Sequence, residues 1–178
     1  MIRAQKIRLN PTPDQANYFA RAAGVARCGW NWALAEWNRP SAAGENPTAF
    51  TLKKHFHEIR REQFPWTWEV TKNASDQPFL DLGKAFTAFF EGRAHRPRFK
   101  SKKRSKPSFY LANDQFEGGD HRIWVPKLGW VNRAAKPKLS SQPPSSNYAW
   151  RTSGSIAATQ GAKTGSKRAG RWHDCMIV

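Results

Sequence analysis

The sequence predicts an α+β chain: a first strand, three inserted helices, a group of later strands, and a basic tail without regular structure. Three observations lead there. Apolar residues recur every three to four positions in three stretches between 13 and 90, and on alternate positions from 108. No period holds after Ala134, where Ser, Ala, Gly, Pro and Lys take over. Helix-start signals stand ahead of the helical stretches.

Residues 2–9, IRAQKIRL, set Ile2, Ala4, Ile7 and Leu9 against Arg3, Lys6 and Arg8, with one slip near Gln5. A strand fits best. In NPTPDQ, Thr12 is an N-cap, Pro13 suits the first helical position, and Gln15 completes a capping box. Ala16, Phe19, Ala20, Ala23, Ala26, Trp30, Ala33, Leu34 and Trp37 then keep three-four spacing, so a helix runs from about Pro13 to Asn38. Arg21, Arg27 and Asn31 lie off its stripe. RPSAAGENP is a loop.

TLKKHFHEIRREQF gives the second helix, with Thr51 as cap and Leu52, Phe56 and Ile59 as a short apolar face. Lys53, Lys54, Arg60 and Arg61 read as a solvated face. PWTWEVTKN is irregular, anchored by Trp66 and Trp68. SDQPFLDLGKAFTAFFEG gives the third helix. Ser75 caps it, Asp76 suits its positive end, and Pro78 falls in the first turn. Phe79, Leu82, Phe86, Phe89 and Phe90 form its stripe, and Gly92 ends it.

SFYLA (108–112) and HRIWV (121–125) read as strands joined by the polar turn NDQFEGGD. A second hairpin runs through PKLG into WV, and the first strand pairs with these later ones. The segment from Ala134 holds a single acid, Asp174, and reads as mostly disordered, since it cannot bury enough apolar surface to offset ordering entropy.

Charge narrows the function. The 178 residues carry a net +17, beyond what solubility needs and typical of nucleic-acid binders. Residues 1–91 hold 12 Lys/Arg against 9 Asp/Glu, a net +3, while residues 92–178 hold 18 against 4, a net +14. There is no basic amphipathic helix for a membrane surface and no apolar run of about 18 residues to span one. MIRAQKIRLN lacks the apolar core of a signal peptide. Cys28 and Cys175 form no CxxC pair, which argues against a zinc knuckle or disulfide framework and fits a reducing cytosol.

Six pieces occur in order: KIRLNPTPDQ, GVARCGWNWALAE, LKKHF, KAFTAFF, RPRFKSKKRSKPSF and RIWVPKLGWV. Together they resemble the N-terminal part of the TnpB/OrfB transposon proteins, over roughly residues 2–133. The resemblance implies a partial wedge-type β-barrel, with residues 1–10 as its first strand and 93–133 as a basic segment and further strands. Residues 11–92 would form an inserted three-helix, helix-turn-helix-like recognition lobe, and 134–178 a tail. It also implies DNA and/or guide RNA as partners, a link to DNA transposition and recombination, and a prokaryotic cytosol or nucleoid setting.

In that family, cleavage belongs to a RuvC-like domain with three metal-binding carboxylates, entered at a D-x-G strand. Here only Asp174 follows Asp120, with no D-x-G and no cysteine pair. A two-metal nuclease needs several carboxylates to hold hard cations about 4 Å apart. The expectation is a family member truncated before the RuvC-like domain. This chain would then have no catalytic residue, no metal site and no cofactor, divalent metal belonging to the missing domain. One rival is an active or split RNA-guided endonuclease, completed by a separately encoded RuvC part. Another is a non-functional remnant whose barrel leaves an edge open.

The first candidate site is the acid-free run Arg93, Arg96, Arg98, Lys100, Lys102, Lys103, Arg104 and Lys106. By composition alone, a solvated linker reads equally well. The whole-chain charge, the flanking Phe99 and Phe109, and the resemblance favour phosphate binding by counterion release. Arg21, Arg27 and Asn31 enter through the resemblance. The amides of Asn73 and Gln77, near the start of the third helix, could read adenine edges, although an exposed polar turn is the more ordinary role. Trp30, Trp37, Phe86, Phe89 and Phe90 read as core, with Trp32 the candidate exception. His55 and His57 lie on different helix faces, against a metal site. Cys28 reads as a small buried residue.

Overall fold

The computed structural model describes residues 7–39, 47–112, 117–119 and 121–134, with the strand backbones at 154–159 and 174–177. The elements are β1 (Ile7–Asn10), α1 (Pro13–Asn38), α2 (Ala49–Gln63), a 3-10 turn (Pro65–Glu69), α3 (Lys72–Phe90), β2 (Ser108–Leu111), β3 (Glu117–Gly118), β4 (Arg122–Val125), β5 (Gly129–Arg133), β6 (Gly154–Thr159) and β7 (Asp174–Ile177). The predicted α+β order holds. The chain divides into two compact units, residues 1–20 with 106–178, and residues 21–105. Helix α1 contributes its first turns to one and the rest to the other. Among the described residues, no helix is long and apolar enough to cross a membrane.

The first unit is an antiparallel sheet in the order β2-β6-β7-β1-β5-β4-β3. As expected, β1 pairs with a later strand, with Leu9 opposite Arg133. The predicted β4–β5 hairpin is also present, with Ile123 opposite Val131. Its turn needs left-handed backbone at Lys127 (φ 65°) and Gly129 (φ 81°), the second of which glycine adopts without strain. Leu9, Phe109, Leu111, Ile123, Val125 and Val131 are buried, as are Ala16, Tyr18 and Phe19 from the start of α1. The rings of Phe19 and Phe109 lie 5.9 Å apart, and the Tyr18 hydroxyl donates to the Pro126 carbonyl at 3.1 Å. The α1 capping box forms as read: the Thr12 N–H donates to Gln15 Oε1 at 3.0 Å, and the Gln15 N–H to Thr12 Oγ1 at 3.4 Å. Gln15 Nε2 also donates to the Trp130 carbonyl at 2.9 Å, tying the cap to the sheet.

Two expectations about the sheet fail. β2 does not form a hairpin with β4; it pairs with β6, while β3, inside the supposed turn, pairs with β4. Nor is the tail without regular structure throughout, because β6 and β7 lie between β2 and β1. Unpaired strand edges offer N–H and C=O groups with which segments distant in the chain can pair. GSIAAT and DCMI are such segments. The turn residues 113–116 and 120, and the rest of the tail, lie outside the described residues.

In the second unit, Trp30, Ala33, Leu34, Leu52, Phe56, Phe79, Leu82 and Phe86 form the core. Each large member contributes roughly 1.5–3 kcal/mol through burial. Trp37 stacks on Phe86, with ring centres 4.2 Å apart and planes at 10°. Gly83 lets α3 approach the start of α2, since a Cβ there would stand 2.9 Å from the Ala49 Cβ.

Helix starts shift from the sequence reading. α2 is capped by Thr48, and Thr51 is its third residue. The Thr51 N–H donates to Thr48 Oγ1 at 3.1 Å and the Thr48 N–H to Thr51 Oγ1 at 2.9 Å. α3 begins at Lys72 rather than after Ser75, whose hydroxyl donates back to the Lys72 carbonyl at 2.7 Å, an interior habit. Pro78 therefore sits inside the helix. Asp76 does not serve the helix end; it is buried and bonds Lys53 Nζ at 2.9 Å and His57 Nε2 at 3.0 Å, joining α2 to α3.

Candidate nucleic-acid interface

The basic run is strapped to α1. The Trp30 indole N–H donates to the Arg98 carbonyl at 2.9 Å. Asn31 clamps Lys100 twice: its Nδ2 donates to the Lys100 carbonyl at 2.9 Å, and its Oδ1 accepts the Lys100 N–H at 2.8 Å. Lys100 Nζ stands 3.7 Å from the centre of the Trp30 ring. Burial there lowers the Lys100 pKa from its ordinary value, with Asp81 pulling weakly the other way. Upstream, Arg96 donates to Asn38 Oδ1 at 2.8 Å.

Magnitudes show how far this anchoring reaches. Three hydrogen bonds at about 1 kcal/mol and a cation–π contact of about 1 offset the ordering of two to four residues at roughly 1–2 kcal/mol each. They hold 98–100. Beyond, a local turn takes over: the Ser105 N–H donates to the Ser101 carbonyl at 3.0 Å, and the Arg104 N–H to Ser101 Oγ at 3.1 Å. Lys102, Lys103 and Arg104 project from that turn, all exposed, as are Arg98 and Lys106. Among the described residues, none of these five is paired with a carboxylate. Arg93 is paired, with Glu91.

The remaining candidates separate. Asn31 lies beside the strap but spends its amide on the clamp. Arg21 is paired with Glu69 at 2.7 Å. Arg27 is half-buried and lines a shallow pocket with Cys28 and Trp66. Asn73 is half-buried in the first turn of α3, and Gln77 donates to Asp81 at 2.9 Å one turn on. The structure thus gathers the 98–106 cations and leaves Asn73 and Gln77 outside the strap. Sequence reasoning missed Trp30 and Asn38 as anchors. Trp30 was assigned wholly to the core because its spacing shows the ring but not its N–H.

Several aromatic assignments change. Trp32 is partly buried at the edge of the core, packed against Phe56, Phe79 and His55, at 5.1, 6.1 and 5.4 Å. Phe90 is 70% exposed and leaves the core stripe. Arg60, read as solvated, is 1% exposed and bonds Thr67. Cys28 is half-buried, not fully so. Among the described residues, no group of three His, Cys, Asp or Glu side chains could hold a metal ion.

A capped N-terminal helix leads out of a sheet and a cationic segment is tied along that helix, so the chain is a basic α+β protein. Residues 1–45 match a family model described as a helix-turn-helix domain, that of the OrfB proteins of IS605. Over 70–73% of its length the chain is also homologous to two proteins provisionally named as RNA-guided DNA endonucleases, of the TnpB family. InsQ of Escherichia coli (strain K12) is 29% identical over 132 residues, covering 73% of this chain and 33% of InsQ. A protein of Streptomyces pristinaespiralis is 32% identical over 133 residues, covering 70% of this chain and 32% of that protein. The chain spans about a third of the length of these curated relatives. Within the matched 1–45, the described residues form one strand and one unbroken helix, and the next helix begins at Ala49.

Proposed function

We propose that this chain is a transposon-associated, TnpB-like protein that binds nucleic acid, DNA and/or guide RNA, through the strap at 93–106 and the adjoining face of α1. One observation carries the reading: five exposed cations, Arg98, Lys102, Lys103, Arg104 and Lys106, stand without a carboxylate partner among the described residues, on a segment whose backbone is pinned. A solubilising linker needs no such pins. Pre-ordering a cationic segment lowers the entropy lost on binding a phosphate backbone. The sheet is the counterpart, in this reading, of the family's wedge-type barrel, and the setting is the prokaryotic cytosol.

We further propose that strand cutting does not reside in these 178 residues. The RuvC-like reaction needs several carboxylates, and beyond Glu117 the sequence offers Asp120 and Asp174. A separately encoded RuvC part would have to supply the rest.

Fluorescence anisotropy with a labelled oligonucleotide tests both proposals. With about five phosphate contacts, raising salt from 50 to 200 mM should weaken binding by roughly 10²–10³. The triple substitution Lys102→Ala, Lys103→Ala, Arg104→Ala should flatten the log–log salt slope by about 2–3. No binding at 50 mM salt would reject the reading. Cleavage by the purified protein that stops on chelation would reject the second proposal.

A further inference from the structure

The outer face of the β4–β5 hairpin carries two tryptophans that neither the core nor the strap uses. Trp124 and Trp130 are direct cross-strand partners, 37% and 40% exposed, while Ile123, Val125 and Val131 on the inner face are at most 1% exposed. Alternation along the strands puts Arg122 and Asn132 on the same outer face. Asn10, paired with Asn132, and Glu117, paired with Trp124, extend it. The Arg122 guanidinium lies 4.5 Å from the centre of the Trp130 ring.

The chemistry of this face selects its occupant. Two adjacent indoles, Trp130 with the Arg122 guanidinium over its ring, offer stacking surfaces next to a phosphate contact. Charge agrees: among the described side chains of this unit, Asp14 and Glu117 are the acids, against Arg8, Lys106, Arg122, Lys127 and Arg133. A duplex keeps its base faces inside the stack, so only an unpaired segment can use the indoles. Asn10 and Asn132 bring two amides, each both donor and acceptor, which suit a ribose 2′-hydroxyl that DNA lacks. We propose that this face binds an unpaired RNA segment whose bases stack on Trp124 and Trp130. This deepens the nucleic-acid reading above and rests on it.

The test uses the full chain with an unstructured RNA oligonucleotide, the DNA of the same sequence, and an RNA duplex. Trp124→Ala with Trp130→Ala should weaken unpaired-RNA binding roughly tenfold or more. It should leave duplex affinity and the salt slope unchanged, because stacking releases no counterions. The strap triple variant should do the reverse to the slope, so the two readings fail separately. Unchanged RNA affinity in the double tryptophan variant would overturn this inference while leaving the strap intact. Equal loss for RNA and DNA would overturn the assignment to RNA. A concentration-dependent dimer lost in the variant would assign the face to a second copy instead. Since the variant could fail by unfolding, photo-crosslinking of 5-iodouridine RNA to the unaltered protein gives a second readout. Cross-links are expected within Arg122–Asn132, and their confinement to other peptides would overturn the proposal.

Discussion

Arg60 and Arg61 stand side by side on α2, and burial alone separates them. Arg60 Nε donates to Thr67 Oγ1 at 2.6 Å and an Nη to the Thr67 carbonyl at 2.7 Å, with its guanidinium 4.2 Å from the centre of the Trp68 ring. Desolvation lowers its pKa from the ordinary value, against the pull of Asp76, yet arginine stays charged. Arg60→Ala should cost about 2–4 kcal/mol, because it removes a packed side chain and strands buried partners. Arg61→Ala should stay within about 0.5 kcal/mol, and urea denaturation of the two variants would show the contrast. The spacing carried a signal, since Arg60 continues the 52–56 line of Leu52 and Phe56; its charge hid it. Cys28 allows a second residue-scale prediction. Burial pushes its thiol pKa above the ordinary thiol value, with Arg27 opposing. A raised thiol pKa favours the neutral form in the fold, so this contribution is intact below the ordinary thiol pKa and lost as pH rises through the higher folded value. In a Cys175→Ser variant, alkylation by iodoacetamide at pH 8 should be slower than for free cysteine. A rate equal to free cysteine would contradict the half-buried placement.

At the scale of elements, the strap is the part that composition described least well. Its pins are an indole N–H and one amide on α1, each far from it in sequence. Asn31→Ala removes both bonds to Lys100, a loss of about 1–3 kcal/mol of local order. Limited trypsin digestion should then cut within 98–106 several-fold faster, with the melting of the helices little changed. Equal digestion rates would show that the strap is held by its own turn. Helix α1 was legible to the residue, because Pro13 and the capping box mark its start and the stripe continues to Trp37. The starts of α2 and α3 were not. Each has two threonines or serines within four residues that could cap, and the choice depends on which backbone N–H groups the packed helices leave free. Thr48 wins over Thr51 through a reciprocal box, and Ser75 is drawn inside α3 by its bond to Lys72.

At the scale of the whole molecule, the sheet depends on pieces far apart in the chain. β1 is flanked by β5 and β7, and β2 pairs with β6. A chain ending at Ala134 would leave one side of β1 unpaired and β2 without β6. Its sheet unit should melt at lower temperature than in the full chain, while the 21–105 helical signal in far-UV circular dichroism persists. Coincident, unshifted melting of both would show that β6 and β7 add no stability. The same deletion leaves the strap cations in place, so binding lost with it would report on the sheet rather than on charge.

The sequence by itself determined the α+β class, the extent of α1, the β4–β5 hairpin, the pairing of β1 with a later strand, and the concentration of charge after residue 91. These are local or compositional properties, carried by period, caps, turn residues and counts. Only the tertiary structure decided that Asn31 and Lys100 are bound to each other, that Arg60 is buried and Trp32 packed, and that β2 pairs with the tail. Each of these depends on which donors, acceptors and strand edges remain unsatisfied once distant segments have met. That is settled by three-dimensional proximity, and spacing along the chain does not record it.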